Sequence, residues 1–315
     1  MTTTQPDKDI IIIGGGAAGL TAAQYGGRAN LSTLLIEEMA PGGQALVIDE
    51  LENFPGFPEK LSGFELTERF TTQAKNFGAE ILAATVNSIT KKENLFFIET
   101  SKGTFTTFAV IFATGAKHRK LEVPGEEEYS GRGVSYCATC DGPFFKNKKM
   151  LVVGGGDAAC DEALFLAKLT DNLVMIHRKN RFRAQKALAD RVLSNPMIDV
   201  RFNHELKEIK GDGNRLSSVI FYDNEHKTEY SEAFDAVFIF VGSIPQTALI
   251  PHVKKDETGY VITNQEMQSS EPGLYAVGDV RVTPFRQLIV AAGDGAIATH
   301  CASQYIDELK GQSYK

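Results

Sequence analysis

Cys137 and Cys140 stand three positions apart in the run Cys137-Ala138-Thr139-Cys140-Asp141. That spacing lets two thiols close a small ring, and the local field of such a loop can lower one thiol's pKa until thiolate exists near neutral pH. Two chemistries use the pattern: dithiol–disulfide exchange, or one half of a four-coordinate zinc site. Zinc needs two further Cys or His ligands, usually as a second close pair. Cys160 and Cys301 are paired neither with each other nor with a histidine at ligand spacing. Redox work is the expectation, with no metal, and the two lone cysteines read as buried, inert thiols. The residues alone do not say which sulfur takes up electrons. Asp141 could move protons or cap the turn that follows it.

Two glycine-rich stretches carry the other chemistry. Ile10 to Ile13 is a continuous apolar, β-branched run that leads straight into Gly14, Gly15, Gly16, Ala17, Ala18 and Gly19; a second apolar run, Leu34 to Ile36, ends at Glu37. The layout recurs as Leu151 to Val153, then Gly154, Gly155, Gly156, Asp157, Ala158 and Ala159, then Val174 to Ile176 ending at His177. Gly14 to Glu37 is 23 positions, and so is Gly154 to His177. Each half reads as a β-α-β unit. Its first glycine permits a tight turn, its second lets a pyrophosphate approach the backbone, and the third glycine, or an alanine, lets the helix pack closely on the strand. The pyrophosphate would sit over the helix N-terminus, where free N–H groups and the helix dipole favour negative charge. One such turn is a weak signal; two at matched spacing predict two dinucleotide sites.

The residue closing the second strand discriminates between ligands. A carboxylate there accepts hydrogen bonds from ribose hydroxyls and repels a 2′-phosphate, so Glu37 suits FAD or NAD, and FAD is the expectation for the first unit. In the second unit the position is His177, followed by Arg178, Lys179, Arg181 and Arg183. Such a cluster offers charge-assisted hydrogen bonds to a phosphate, which fits NADPH together with Gly154, Gly156, Asp157 and Ala158. Further FAD contacts are expected near the C-terminus. There an apolar strand ends in Gly278-Asp279, whose aspartate can hydrogen-bond a ribityl chain, and a helix starts near Arg286-Gln287. Gly43, Gln44 and Asn53 lie in a turn-rich stretch that could also line the flavin, as could Ala113 and Gly115.

These motifs require elements to hold them. Ala109 to Gly115 (AVIFATG) and Ala236 to Gly242 (AVFIFVG) both read as a final buried strand followed by a glycine turn. The fold expected is α/β, with two Rossmann-like dinucleotide-binding domains, one inserted into the other. The outer, FAD-binding domain comprises 1–115 and 246–315, and the inserted, NADPH-binding domain 116–245, carrying the CxxC. Two linkers at one place make a swivel. A chain of 315 residues is long enough for two cores. Its net charge of −7 argues against a non-specific nucleic-acid binder. No apolar run approaches the roughly 20 residues a membrane helix needs. Met1 to Asp9 lacks the basic and apolar regions of a signal peptide, so a cytoplasmic location and no membrane partner are expected.

The succession GGGAAG, PGGQ, ENFPG, ATG, CATCDG, GGGDAA, HRKNRFRA, GDV and RQ resembles the low-molecular-weight thioredoxin reductase family over essentially the whole chain. CATCDG inside the NADPH domain is the most specific of these motifs. The family's cluster is usually HRRxxxR, and Lys179 here replaces the second arginine, keeping the charge but losing the planar fork. The resemblance implies that Cys140 lies next to the flavin and receives its electrons, that Cys137 forms the mixed disulfide with thioredoxin or a thioredoxin-like protein, and that Asp141 is the general acid and base. It implies rotation of the inserted domain between half-reactions, because nicotinamide and redox pair need the same flavin face, and it implies a homodimer. A ferredoxin-dependent reductase could dispense with the basic cluster, and flavin-dependent ferredoxin–NADP reductases lack the CxxC. A colourless NADPH sensor on the same scaffold would tolerate loss of the cysteines and Asp141, yet all are present.

Overall fold

A computed structural model describes residues 5–48, 51, 53–59 and 61–312. The chain separates into two compact units, one running to residue 117 and resuming at 244, the other spanning 118–243. The fold is α/β, with parallel strands at the centre of a sheet in each unit. Met1 to Thr4 and Glu52, the first residue of the ENFPG run, lie outside the described residues.

The first unit opens with β1 (Lys8–Ile13), paired in parallel with β2 (Thr33–Glu37) through α1 (Ala17–Arg28). A parallel strand covered on both faces reads as an unbroken apolar run, and Ile10 to Ile13 is one. Ile10 and Ile12 pack on one face with Leu20 and Tyr275, while Ile11 and Ile13 pack on the other with Phe112 and Val261. Helix α2 (Gly63–Asn76) starts at a reciprocal cap. Ser62 Oγ accepts from Glu65 N–H at 3.1 Å, and Glu65 accepts from Ser62 N–H at 2.8 Å. Then come β3 (Glu80–Ala83) and the antiparallel run β4 (Val86–Lys92), β5 (Leu95–Thr100) and β6 (Gly103–Phe112). The end of β6 turns parallel to β1, giving the order β3-β2-β1-β6-β5-β4. Strand β7 (Ala116–His118) leads out of the unit.

In the second unit β8 (Val134–Ser135) and the single turn α3 (Ala138–Asp141) precede a repeat of the opening pattern: β9 (Met150–Gly154), α4 (Asp157–Leu166) and β10 (Leu173–His177). Helix α5 (Lys186–Leu193) follows, then β11 (Ile198–Phe202), the antiparallel β12 (His204–Gly211), β13 (Leu216–Asp223) and β14 (Thr228–Ala233), and finally β15 (Ala236–Phe240). The parallel sheet runs β11-β10-β9-β15-β8. The two opening pairs share one register: Ile13 faces Ile36, and Val153 faces Ile176. Leu151 and Val153 pack toward Phe221 of the antiparallel sheet, and Met150 and Val152 toward Ala163 and Leu166 of α4.

Strand β16 (Ser243–Pro245) pairs with β7. Sequence patterning puts the junctions at 115/116 and 245/246. The compact units part at 117/118 and 243/244, each boundary falling within one of the two paired strands β7 and β16. The chain ends in the first unit with β17 (Leu274–Ala276), parallel to β6, and the long helix α6 (Leu288–Leu309). Helices α1 and α6 cross closely because both carry small residues. A Cβ on Gly295 would fall 2.2 Å from Ala18 O.

Candidate active site

Cys137 and Cys140 are joined as a disulfide, with Cα atoms 5.4 Å apart. Cys137 is the N-cap of α3, and its Sγ accepts the Cys140 N–H at 3.2 Å. Thr139 Oγ1 lies 3.5 Å from the same sulfur. Both cysteines are half-buried. The carboxylate of Asp141 does not cap the turn Gly142–Phe145 that follows; its Oδ2 accepts the Ser135 O–H at 2.5 Å. Ser135 Oγ also accepts the Cys137 N–H at 3.1 Å. One buried hydroxyl thus connects the first cysteine's backbone to the acid beside the second. Sequence reading missed Ser135. Its signal was its place two residues before Cys137, where a hydroxyl commonly caps a nearby N–H.

The other thiols differ from this pair. Burial, helped by the charges of Asp157 and Asp161, pushes Cys160 up to about 11. Cys301 is also raised by burial, but it is half-buried on α6 rather than fully enclosed, because it sits at the margin of the core that covers Ala298 and Ala302. No group of three or more His, Cys, Asp or Glu side chains placed to hold a metal ion occurs among the described residues.

In the first glycine turn Gly14 has φ of 104°, and a Cβ on it would meet Ala113 O at 2.4 Å. A Cβ on Gly19 would lie 1.9 Å from Gly14 O, so the helix can seat on the turn only with glycine there. Above Gly16 there is open space, and α1 has no side-chain cap at that residue. These are the conditions for an anion over the N-terminal N–H groups beside Ala17 and Ala18. Glu37 accepts Gly15 N–H at 2.6 Å and Met39 N–H at 3.0 Å, which fixes its carboxylate at the strand end. Gly43, with φ of 57°, brings its own Cβ direction to 3.1 Å from Gly16 Cα. Gln44 Nε2 donates to Ala116 O, just past Gly115. Asn53 Nδ2 donates to Gln287 Oε1 at 3.2 Å, beside a cavity of about 450 Å3 lined by Asn53, Phe54 and Phe57. Asp279 is pushed up by burial, against the pull of Arg286, whose guanidinium lies 4.3 Å from the Tyr260 ring centre. The residues fit an extended dinucleotide: an open N-terminus, a fixed carboxylate at the strand end, and polar groups gathered at the start of α6.

The second turn is finished differently. A Cβ on Gly154 would meet Phe240 O at 2.5 Å, and one on Gly155 would run into the His177 ring at 2.3 Å. Arg183 N–H donates to Gly155 O at 2.7 Å, and the position of a Cβ on Gly156 lies 3.6 Å from Arg183 Nη2. Burial, then the charges of Arg178, Arg183 and Lys179, lower the His177 pKa, so its ring is neutral at pH 7. Arg178, Lys179, Arg181 and Arg183 are exposed. Asn203 N–H holds Lys179 O at 3.2 Å. Asp157 is exposed at the start of α4. Its Oδ1 accepts Gln185 N–H at 2.7 Å and thereby ties the basic loop to the start of α4. Gln185 is the second residue missed from sequence, since its partner is 28 positions away. A neutral acceptor ring, an uncapped N-terminus beside Ala158 and exposed cations suit a phosphate-bearing ribose.

The family profile described as pyridine nucleotide-disulphide oxidoreductase matches residues 8–296. A thioredoxin reductase of Treponema pallidum is 53% identical over 306 residues, covering 97% of this chain and 99% of the relative. The crystal structure of thioredoxin reductase from Streptococcus pyogenes is 40% identical and superposes with a TM-score of 0.90 over 96% of this chain and 98% of the other. The Lactococcus lactis thioredoxin reductase in its FR conformation is also 40% identical, with a TM-score of 0.67 over 96% of this chain and all of the other.

Proposed function

The chain belongs to the pyridine nucleotide-disulphide oxidoreductase family and, within it, to the thioredoxin reductases, and from that premise we propose how its own residues divide the work. The activity is the reduction of thioredoxin's disulfide, with FAD and NADPH as cofactors. When bound, the two cofactors together supply an electron pair from NADPH to a disulfide. The unit built on β1 and α6 holds FAD through Gly14, Gly16, Gly19, Glu37 and the Gly278–Asp279 turn. The unit spanning 118–243 holds NADPH, its 2′-phosphate met by Arg178, Lys179 and Arg183.

The observation that carries this reading is the Cys137–Cys140 disulfide in the same unit as the basic glycine turn. Once the pair is reduced, the Cys140 N–H favours negative charge on Cys137 Sγ, which makes Cys137 the attacking thiolate. It displaces one sulfur of thioredoxin's disulfide to form a mixed disulfide. Cys140 then attacks Cys137 Sγ, closing the internal disulfide and releasing thioredoxin with two thiols. Each departing sulfur needs a proton. Asp141 carries it, its carboxylate oriented by Ser135. Nicotinamide site and redox pair share one unit, so they reach the flavin in turn, by rotation about β7 and β16. The reading includes a homodimer working in the cytoplasm, without nucleic-acid or membrane partners.

Stopped-flow absorbance tests the route. The protein is mixed anaerobically with NADPH and then with oxidised thioredoxin, as wild type and as Cys140→Ser. NADPH should bleach the flavin in both, and only wild type should pass electrons on. A mutant that still reduces thioredoxin would show that the pair is not the relay.

A further inference from the structure

Asp294 lies on α6, is only 6% exposed, and belongs to none of the motifs that point to a cofactor. Its Oδ2 accepts two hydrogen bonds from the turn that precedes the helix in the chain. One comes from Gly278 N–H at 3.1 Å and the other from Arg281 Nη1 at 3.2 Å. Arg281 is itself largely buried, and its Nε donates to Thr263 Oγ1 at 2.8 Å. Burial raises the Asp294 pKa, while the Arg281 charge and the Gly278 N–H act against that rise. The turn between those two donors holds Asp279. It starts at Gly278 with φ of 68°, where a Cβ would press on Ala18 at 3.1 Å and stand 3.5 Å from Ala291. One carboxylate therefore grips both ends of a turn wedged between α1 and α6. Leaving either partner alone in that interior would strand a buried charge, which is strongly unfavourable.

We propose that Asp294 is a positioning residue for FAD: with Arg281 as its fixed counter-charge, it clamps the 278–281 turn so that Asp279 is presented to the ribityl hydroxyls. The inference rests on the assignment of FAD to this unit. It predicts that Asp294 acts through Asp279 rather than beside it, so the two residues are not independent.

The test is the FAD dissociation constant of the holoenzyme, obtained by ultrafiltration and flavin absorbance, for Asp294→Asn, Arg281→Met, Asp279→Asn and the doubles with Asp279→Asn. Asp294→Asn should raise the Kd about tenfold, the weight of a hydrogen bond to a charged group. Adding it to Asp279→Asn should raise the Kd little beyond the larger single effect, since coupled residues are non-additive. Arg281→Met removes the clamp from its other side and should show the same coupling, which keeps the test open if Asp294→Asn fails to fold. Fully additive losses, or a lowered unfolding midpoint with the Kd unmoved, would overturn the clamp alone. A Kd unmoved by Asp279→Asn would overturn the seating of FAD over this turn and the clamp with it.

Discussion

Gly14–Gly19 and Gly154–Ala159 are one turn built twice, on strands in the same register, and they part company at the tip of the second strand. In the first, Glu37 is spent on two backbone N–H groups and presents a fixed negative charge. In the second, a neutral His177 leans on Gly155 while Arg183 reaches over Gly156. The helices differ as well. The segment Ala17–Arg28 has no acidic residue, whereas Asp157–Leu166 has three, one of them used to hold the basic loop. The shared backbone decides where a pyrophosphate can sit. The side chains at the strand tip decide which nucleotide accompanies it.

The comparison breaks most sharply at its third small residue. Gly19→Ala puts a methyl 1.9 Å from Gly14 O and should cost about 2–4 kcal/mol of stability, with loss of bound flavin. The reverse change at the equivalent position, Ala159→Gly, should cost only about 1 kcal/mol of helix propensity and leave the KM for NADPH within about twofold. The flavin-to-protein absorbance ratio and the unfolding midpoint read both. Full flavin content in Gly19→Ala would mean that the turn does not need its close approach.

A second effect should be smaller and confined to one ligand. The double variant Arg178→Ala/Arg183→Ala should raise the KM for NADPH roughly 10- to 100-fold, while the KM for NADH and kcat hold, as charge-assisted bonds to a 2′-phosphate are lost. Equal rises for both nucleotides would put the phosphate elsewhere.

The smallest effect concerns the acids of α4. Glu162 Oε2 is buried with no hydrogen-bond partner among the described residues, and burial together with Asp161 pushes its pKa up to about 7. Its folded pKa lies above its unfolded one, so folding takes up a proton. The resulting stability is present at low pH and is lost as pH rises through about 7. Glu162→Gln should therefore match wild type near pH 4 and exceed it by about 1–2 kcal/mol at pH 8, a rise of about 2–8 °C in unfolding midpoint. A gap that stays constant with pH would mean the carboxylate is not the cause.

The local features of this protein were legible from residue types and spacing because each acts within a few positions of itself. Apolar runs made the parallel strands, glycines made the turns that follow them, two cysteines three apart made a disulfide, and the matched 23-position spacing from glycine turn to strand end marked a duplicated unit. The resemblance to thioredoxin reductases rested on those same local motifs. What tertiary structure alone decided are the pairings between residues far apart in the chain. Asp157 to Gln185, Gln44 to Ala116 and Asn53 to Gln287 span 28, 72 and 234 positions. Even where the partners are closer, as in Ser135 to Asp141 and Gly278 to Asp294, a helix or turn must first fold them back on each other. A hydrogen bond is set by angles and distances in space, and no spacing rule reaches across a loop of free length to fix them. That is why the chain announced its chemistry, while the side chains that steady that chemistry became visible only once it had folded.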